Sequence, residues 1–294
     1  MKRLHIYTHV FNGEYASQWK RAGAVSLLWP RNIAALNTVD VLWDIYTTET
    51  AAYDVREFAS TLPVGDTDRL NVTIEPPQRK DSSLPMALEK AWKASAYFMP
   101  APPDIIWGDG SVGALLKLMP FAYARCLAVP HIRVAEKAFM AGFTGEPLTN
   151  AQLVHKAFSA LHEAFRGSEV PSHKQNTGST GTVWTQLADG LYAAGFFLPT
   201  VHMMQPTEDD VKWFKTTQGQ DHWDHRWPSA LVGTDRHRMI ASSDVAFMAE
   251  LTPDDKLHPP RHPTLKGKWD DYDGKMAHHI ANRNTVCTFR AEPC

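Results

Sequence analysis

The sequence predicts an α/β protein: a mostly parallel sheet flanked by helices, with an irregular C-terminal region. Three observations predict it. Short runs rich in β-branched and aromatic residues alternate with longer stretches of helical periodicity over the first 135 residues. Strand and helix in strict alternation specify parallel strands joined by helical crossovers on the faces of the sheet. The 294-residue chain is 44% hydrophobic and 21% charged, a composition that folds around a real core rather than staying disordered. After residue 135 the alternation stops, and the last forty residues are rich in Pro, His, Trp and Asp without a period. That tail is expected to wrap the surface or cap a cleft.

Taken in order, the strand-like runs are RLHIYTHV (3–10), VLWDIYTT (41–48), LNVTIEP (70–76), PDIIWG (103–108) and RCLAVPHIRV (125–134). Between them lie helix-like EYASQWKRAGAVSLL (14–28), TAAYDVREFASTL (50–62), SSLPMALEKAWKASAYF (82–98) and SVGALLKLMPFAY (111–123). In the last three, apolar residues recur at intervals of three and four, as an amphipathic helix requires. Further on, 148–167 reads as one helix, with Leu153, Ala157, Leu161 and Phe165 on a single stripe and Gly167 as its stop. Polar, glycine-containing 168–182 reads as a loop, 182–197 as a helix despite two glycines, and 236–253 as a pair of strands around Ser242-Ser243.

Several function classes lose support at once. A net charge of −2 gives no global attraction for a polyanion. Cys126, Cys287 and Cys294 are an odd count without CxxC spacing, so a reducing compartment, the cytoplasm, is expected. The N-terminal run is broken by His5, Thr8 and His9, unlike a signal peptide, and no stretch approaches the ~18 apolar residues of a membrane span. WGDGSV lacks the P-loop pattern, and no GxGxxG follows the first strand.

Ligands of open parallel sheets sit beyond the carboxyl ends of the strands. That rule selects Thr8 and His9, Thr47 and Thr48, and Asp109, all expected in one cleft. Asp109 between Gly108 and Gly110 is suited to a hard cation or a ribose hydroxyl, or else it or Ser111 simply caps a helix. Asn32 after a proline turn suits a nucleobase or ribose, or an Asx-turn. Asp244 and Glu250, six apart, are expected on one strand face as general base or acceptor-binding carboxylates, or as a turn and an ion pair. Late histidines His258, His262, His278 and His279, and His222 and His225 with Trp223 and Trp227, are candidate metal or sugar contacts, without HExxH spacing.

The strand-helix order ending in Trp107-Gly108-Asp109-Gly110 resembles the nucleotide-binding half of GT-A glycosyltransferases. TGSTGTVWTQLADGL (177–191) is similar to a glycine-then-helix segment of that fold. SLLWPRNIAAL (26–36) and SSDVAFMAELTP (242–253) resemble segments of uncharacterised glycosyltransferase-like proteins of bacteria and phages. The resemblance implies one GT-A-like domain over 1–294, with 1–135 binding a nucleotide-sugar donor and 136–294 facing the acceptor. It implies transfer of a sugar to an acceptor hydroxyl, of a hydroxymethylated pyrimidine in phage DNA, a saccharide or a small molecule. It implies a divalent metal, Mn²⁺ or Mg²⁺, held by Asp109 and His279, with Thr8, His9, Asn32, Thr47, Gly108, Gly110 and Ser111 around the donor. The motif's first acidic position is Gly108 here, leaving one acid in the turn. A His/Asp metal-dependent hydrolase and a non-catalytic nucleotide- or carbohydrate-binding module are the alternatives.

Overall fold

The computed structural model describes residues 2–62, 70–76, 80–121, 125–166, 183–195, 201–217, 237–255 and 287–293. Its centre is a run of parallel strands: β1 (Lys2–Val10), β2 (Val39–Thr47), β3 (Leu70–Ile74) and β4 (Tyr97–Pro100), in spatial order β3-β2-β1-β4. From Leu4 to Val10 every residue of β1 is buried, because helices cover both faces of a parallel sheet. Alternation divides the core into layers. Leu4, Ile6, Val10, Val41, Trp43 and Ile45 join one cluster, while Tyr7, Tyr46 and Phe98 join Leu84, Ala87, Leu88 and Ala91 on the other face.

The first crossover begins at Asn12, whose side chain accepts the Tyr15 N–H and so caps α1 (Gly13–Gln18). A π-helical turn, Trp19–Gly23, then leads into α2 (Ala24–Leu27). Next come α3 (Ala52–Ala59) and, between β3 and β4, α4 (Lys80–Lys93). The helix predicted over 82–98 stops earlier than its periodicity, at Lys93, where Ser95 takes φ +52° and the Ala96 N–H reaches back to the Ala91 carbonyl. This is a left-handed C-cap formed by serine instead of glycine, so the usual stop signal is missing.

That early stop frees Tyr97–Pro100 to become β4 and overturns the expectation that PDIIWG is the fourth parallel strand. β5 (Ile105–Trp107) belongs to a second sheet. It is followed by α5 (Ser111–Leu118). The single strand predicted over 125–134 is two, β6 (Cys126–Ala128) in the central sheet and β7 (His131–Ala135) in the second. Pro130 lies between them, with no N–H to continue a ladder. After β7 come α6 (Glu136–Met140), α7 (Asn150–Ser159) and α8 (Glu163–Arg166). The helix expected over 148–167 is therefore interrupted, because Ala160 and His162 bond the β7 backbone at Ala135 and Arg133.

The helix expected over 182–197 is instead a hairpin, β8 (Val183–Ala188) and β9 (Leu191–Gly195), turning at Asp189-Gly190 with Gly190 at φ +66°. Aromatic stacking against α7, with Phe158 3.7 Å from Tyr192, holds it. The remaining elements are β10 (Met203–Met204), α9 (Glu208–Thr217), β11 (His237–Met239), β12 (Met248–Thr252) and β13 (Cys287–Arg290). β10 pairs antiparallel with both β4 and β6, and β11 parallel with β6, which completes the order β11-β6-β10-β4-β1-β2-β3. The second sheet runs β5-β12-β7 and the third β13-β9-β8. The strand pair expected around Ser242-Ser243 is present as β11 and β12, in different sheets. Among the described residues no helix is long and apolar enough to cross a membrane.

Candidate functional site

The chain steps from β1 to β2 and β3 on one side and returns to β4 on the other, so the strand order reverses between β1 and β4. A crevice opens at such a switch point, beyond the carboxyl ends of the two strands. His9 and Phe11 lie at the end of β1, with ring centroids 6.1 Å apart, and Phe11 lies 4.1 Å from Tyr15 in the first turn of α1. On the β4 side the chain passes through Pro102 and Pro103 to Asp104, which is half-buried and whose carbonyl accepts the Leu251 N–H of β12.

β12 and β7 pair in parallel with Glu250 opposite Arg133 and Met248 opposite His131. Residues in register share a face, so His131, Arg133 and Glu250 project together. Arg133 Nε is 3.2 Å and His131 Nε2 3.3 Å from the Glu250 carboxylate. Burial opposes ionisation of Glu250, but the Arg133 guanidinium and the His131 contact outweigh it and hold the carboxyl well below the usual range. The same cluster reaches Tyr15: burial, then the charges of Asp104, Glu14 and Glu250, push its hydroxyl pKa up despite Arg133. At the far end His202 lies 6.1 Å from both Trp107 and His131, and its Nδ1 accepts the Val129 N–H. Burial, with His131 and His237 nearby, keeps His202 uncharged, its pKa well below normal. The result is a polar band, Tyr15, Asp104, Arg133, Glu250, His131 and His202, linked from α1 to the second sheet.

Of the residues anticipated from sequence, Glu250 falls on this band, and His9 is linked to it through Phe11 and Tyr15. His9 Nδ1 is 2.8 Å from Ser83 Oγ, itself 2.8 Å from the Tyr7 hydroxyl, which fixes the imidazole at the strand end. Thr8 and Thr47 are fully buried; Thr8 Oγ1 donates to the Ala101 carbonyl and accepts from Trp43 Nε1, and Thr47 Oγ1 donates to the Thr48 carbonyl. These threonines brace the strand ends from inside.

The Asp109 turn follows β5 of the second sheet and not, as expected, a strand of the central sheet. Asn32 Oδ1 accepts the N–H groups of Gly110 and Val112, and its amide donates to the Ser26 and Gly108 carbonyls. All four hydrogen-bonding positions of a buried side chain are therefore taken by the protein. Asp109 accepts the Arg31 N–H at 2.8 Å, and Ser111 Oγ donates to Asn150 Oδ1 and accepts from the Phe247 N–H. A Cβ on Gly108 would stand 2.0 Å from Asn150 Oδ1, so glycine there is a packing requirement, and Gly110 is held at φ +103°. The start of α5 is thus tied to Arg31, Asn32, Asn150 and Phe247. Asp244 is corrected too: it is exposed, in a turn where its N–H reaches Ser242 Oγ, and the strand carrying Glu250 starts only at Met248, so the two share no strand face.

A divalent cation needs a convergent oxygen or nitrogen set. Among the described residues no three His, Cys, Asp or Glu side chains gather in that way, and Glu250 is already committed to Arg133 and His131. These residues do not by themselves fit a resident metal. His222, His225, His258, His262, His278 and His279, with Trp223 and Trp227, lie outside the described residues. Tyr15, Asp104, His131, Arg133 and His202 were not anticipated. The HIRV alternation could have flagged His131 and Arg133 as one face, but only pairing with β12 brings Glu250 to them.

No family model matches the chain, and no curated protein matches it. Among solved structures, the S. aureus TarS fragment in complex with UDP-GlcNAc is 12% identical over 46% of this chain and 35% of its own, with a TM-score of 0.32. Mouse xyloside xylosyltransferase 1 is 8% identical over 47% and 57%, at 0.30. The mannosyltransferase PcManGT of Pyrobaculum calidifontis, in complex with GDP-Man and Mn²⁺, is 14% identical over 86% and 58%, at 0.40. The chain spans only about a fifth, 22%, of the longer TarS chain it also matches. Likeness at this level leaves this chain's chemistry to its own residues.

Proposed function

We propose that this protein is a nucleotide-sugar-dependent glycosyltransferase whose donor lies in the crevice between β1 and β4. The observation that carries the reading is a guanidinium, Arg133, fixed by an ionised Glu250 on the second sheet and close enough to Tyr15, the partner of Phe11 after β1, to act on its hydroxyl. An arginine held in one orientation suits a diphosphate, and the Phe11–Tyr15 pair offers an aromatic surface for a base or a sugar. Glu250 stays anionic through the working pH range and is too weak a base to take a proton efficiently, so it orients Arg133. In this reading Asp104, half-buried beyond β4 and acting by its charge on Tyr15, accepts the acceptor hydroxyl's proton, while the cleft aligns the reactants. The acceptor hydroxyl belongs to a saccharide, a small molecule or a hydroxymethylated pyrimidine of DNA.

Melting temperature with UDP, GDP, ADP and CMP, each with and without Mn²⁺, tests the donor site, because ligand that binds the folded state raises apparent stability. At least one nucleotide should raise it, and Arg133→Ala should weaken that nucleotide by about tenfold or more. A panel of nucleotide-sugars should then yield slow donor hydrolysis that Asp104→Asn reduces. If none of these nucleotides shifts the melting temperature and no donor is consumed, the reading fails.

A further inference from the structure

Outside the crevice, the surface between the π-turn and α6 is concave. One cavity of about 420 Å³ is lined by Arg21, Val25, Met140, Phe143 and Glu146, and a neighbouring one of about 280 Å³ shares Arg21 and Met140 and adds Glu136 and Lys137. Together they form a groove in the size range of small-ligand sites. Its wall is built in advance. Gly142 and Gly145 take φ +76° and +84°, and Trp29 Nε1 donates to the Gly145 carbonyl at 2.9 Å, which fixes the loop that carries Phe143. Val25, Met140 and Phe143 are half-buried and make an apolar floor. Arg21 and Lys137 are exposed and form no ion pair among the described residues.

We propose that this groove binds a saccharide, with a pyranose face on Phe143 and its hydroxyls on Arg21, Lys137 and Glu146. An apolar floor rimmed by both hydrogen-bond donors and carboxylates matches a ring with C–H faces and hydroxyl edges. It does not match a polyphosphate strand, because Glu136 and Glu146 would face phosphates with like charge. Tyr15 in the crevice and Arg21 in the groove sit on one continuous helical run, about 9 Å apart along its axis at 1.5 Å per residue. Gln18 Nε2 to Glu136 Oε2, 2.8 Å, ties that run to α6 between them. The groove is thus a separate surface on the same helical run, set apart from Tyr15 by the Gln18–Glu136 contact. Binding in the groove stands independently of the transferase reading.

Calorimetric titration of the intact chain with chito-, cello- and malto-oligosaccharides, and with a hydroxymethylated DNA duplex, tests the inference. At least one oligosaccharide should bind, and Phe143→Ala and Arg21→Gln should each weaken it by about tenfold or more. Glu146→Gln, a change on the exposed rim, provides a second variant should Phe143→Ala unfold. No binding across the oligosaccharides overturns the proposal. So does binding that survives all three substitutions, or duplex binding that is lost with Arg21→Gln. The nucleotide melting shift of the same variants should stay as in the parent, so that failure of the groove and failure of the donor site are read separately.

Discussion

Asp109 is the residue that sequence made most conspicuous, and its surroundings give it an internal task. Its carboxylate accepts the Arg31 N–H while Asn32 ties the same turn to Ser26, Gly108, Gly110 and Val112. Asp109→Ala should therefore lower unfolding stability by about 1–2 kcal/mol, since a part-buried backbone donor loses its partner. Nucleotide melting shifts should stay at parent size; denaturant titration and ligand melting on one preparation read both, and a lost shift with unchanged stability would restore Asp109 to the donor site. Asn32→Ala should cost more, about 2–3 kcal/mol, because it leaves several groups unsatisfied at once. The acid-then-glycine pattern was legible in the string. Whether the acid faces ligand or chain was not, because Asn32 and Asn150 are far from it in sequence and carry no motif.

Among the elements, the first crossover shows how local pattern and packing divide the work. Its helicity was legible over 14–28, and the π-turn, whose extra residue shifts the apolar phase, fits with the three-and-four spacing being found only in the later helices. The turn sits where Gly23 meets the backbone before β5: a Cβ there would stand 2.4 Å from the Pro103 carbonyl oxygen. Gly23→Ala should thus destabilise by about 1–3 kcal/mol through overpacking, although alanine is the better helix former. A rise in melting temperature would show that the helix can move off Pro103. The strand at 97–100 and the hairpin at 183–195 were missed for related reasons. Serine in place of glycine hid the end of α4, and apolar spacing in VWTQLADGLYAAG is compatible with either period until Phe158 stacks on Tyr192.

Across the whole molecule, the α4 side of the central sheet carries a buried polar seam. Asp44 Oδ2 is 3.0 Å from His5 Nε2 and 2.9 Å from Lys90 Nζ, and Lys90 also contacts Glu75. Burial opposes ionisation of Asp44, but His5 and Lys90 outweigh it and lower its pKa. Burial likewise opposes the Lys90 charge, and Glu75 and Asp44 outweigh it and raise its pKa. The signs follow from linkage. Asp44 and Glu250, both lowered, contribute stability that is complete above their usual values of 3.8 and 4.5 and is lost as pH falls below them. Lys90, raised, contributes stability complete below 10.5 and lost as pH rises through its folded value. Denaturation midpoints across pH should fall on the acid side through this window, and Asp44→Asn should flatten that limb while costing about 3 kcal/mol at neutral pH, because it breaks a buried pair. An acid limb identical in parent and variant would refute the role of the seam. By itself the sequence determined the α/β class and the parallel strands β1 to β3 with the helices α3 to α5, since these follow from hydrophobic period and β-branched runs within a dozen neighbours. Only the tertiary structure decided which strand stands fourth, that β5, β7 and β12 form their own sheet, and that Arg133 meets Glu250 117 positions away. Such pairings are set by burial and by which free edges meet, and no local window contains both partners.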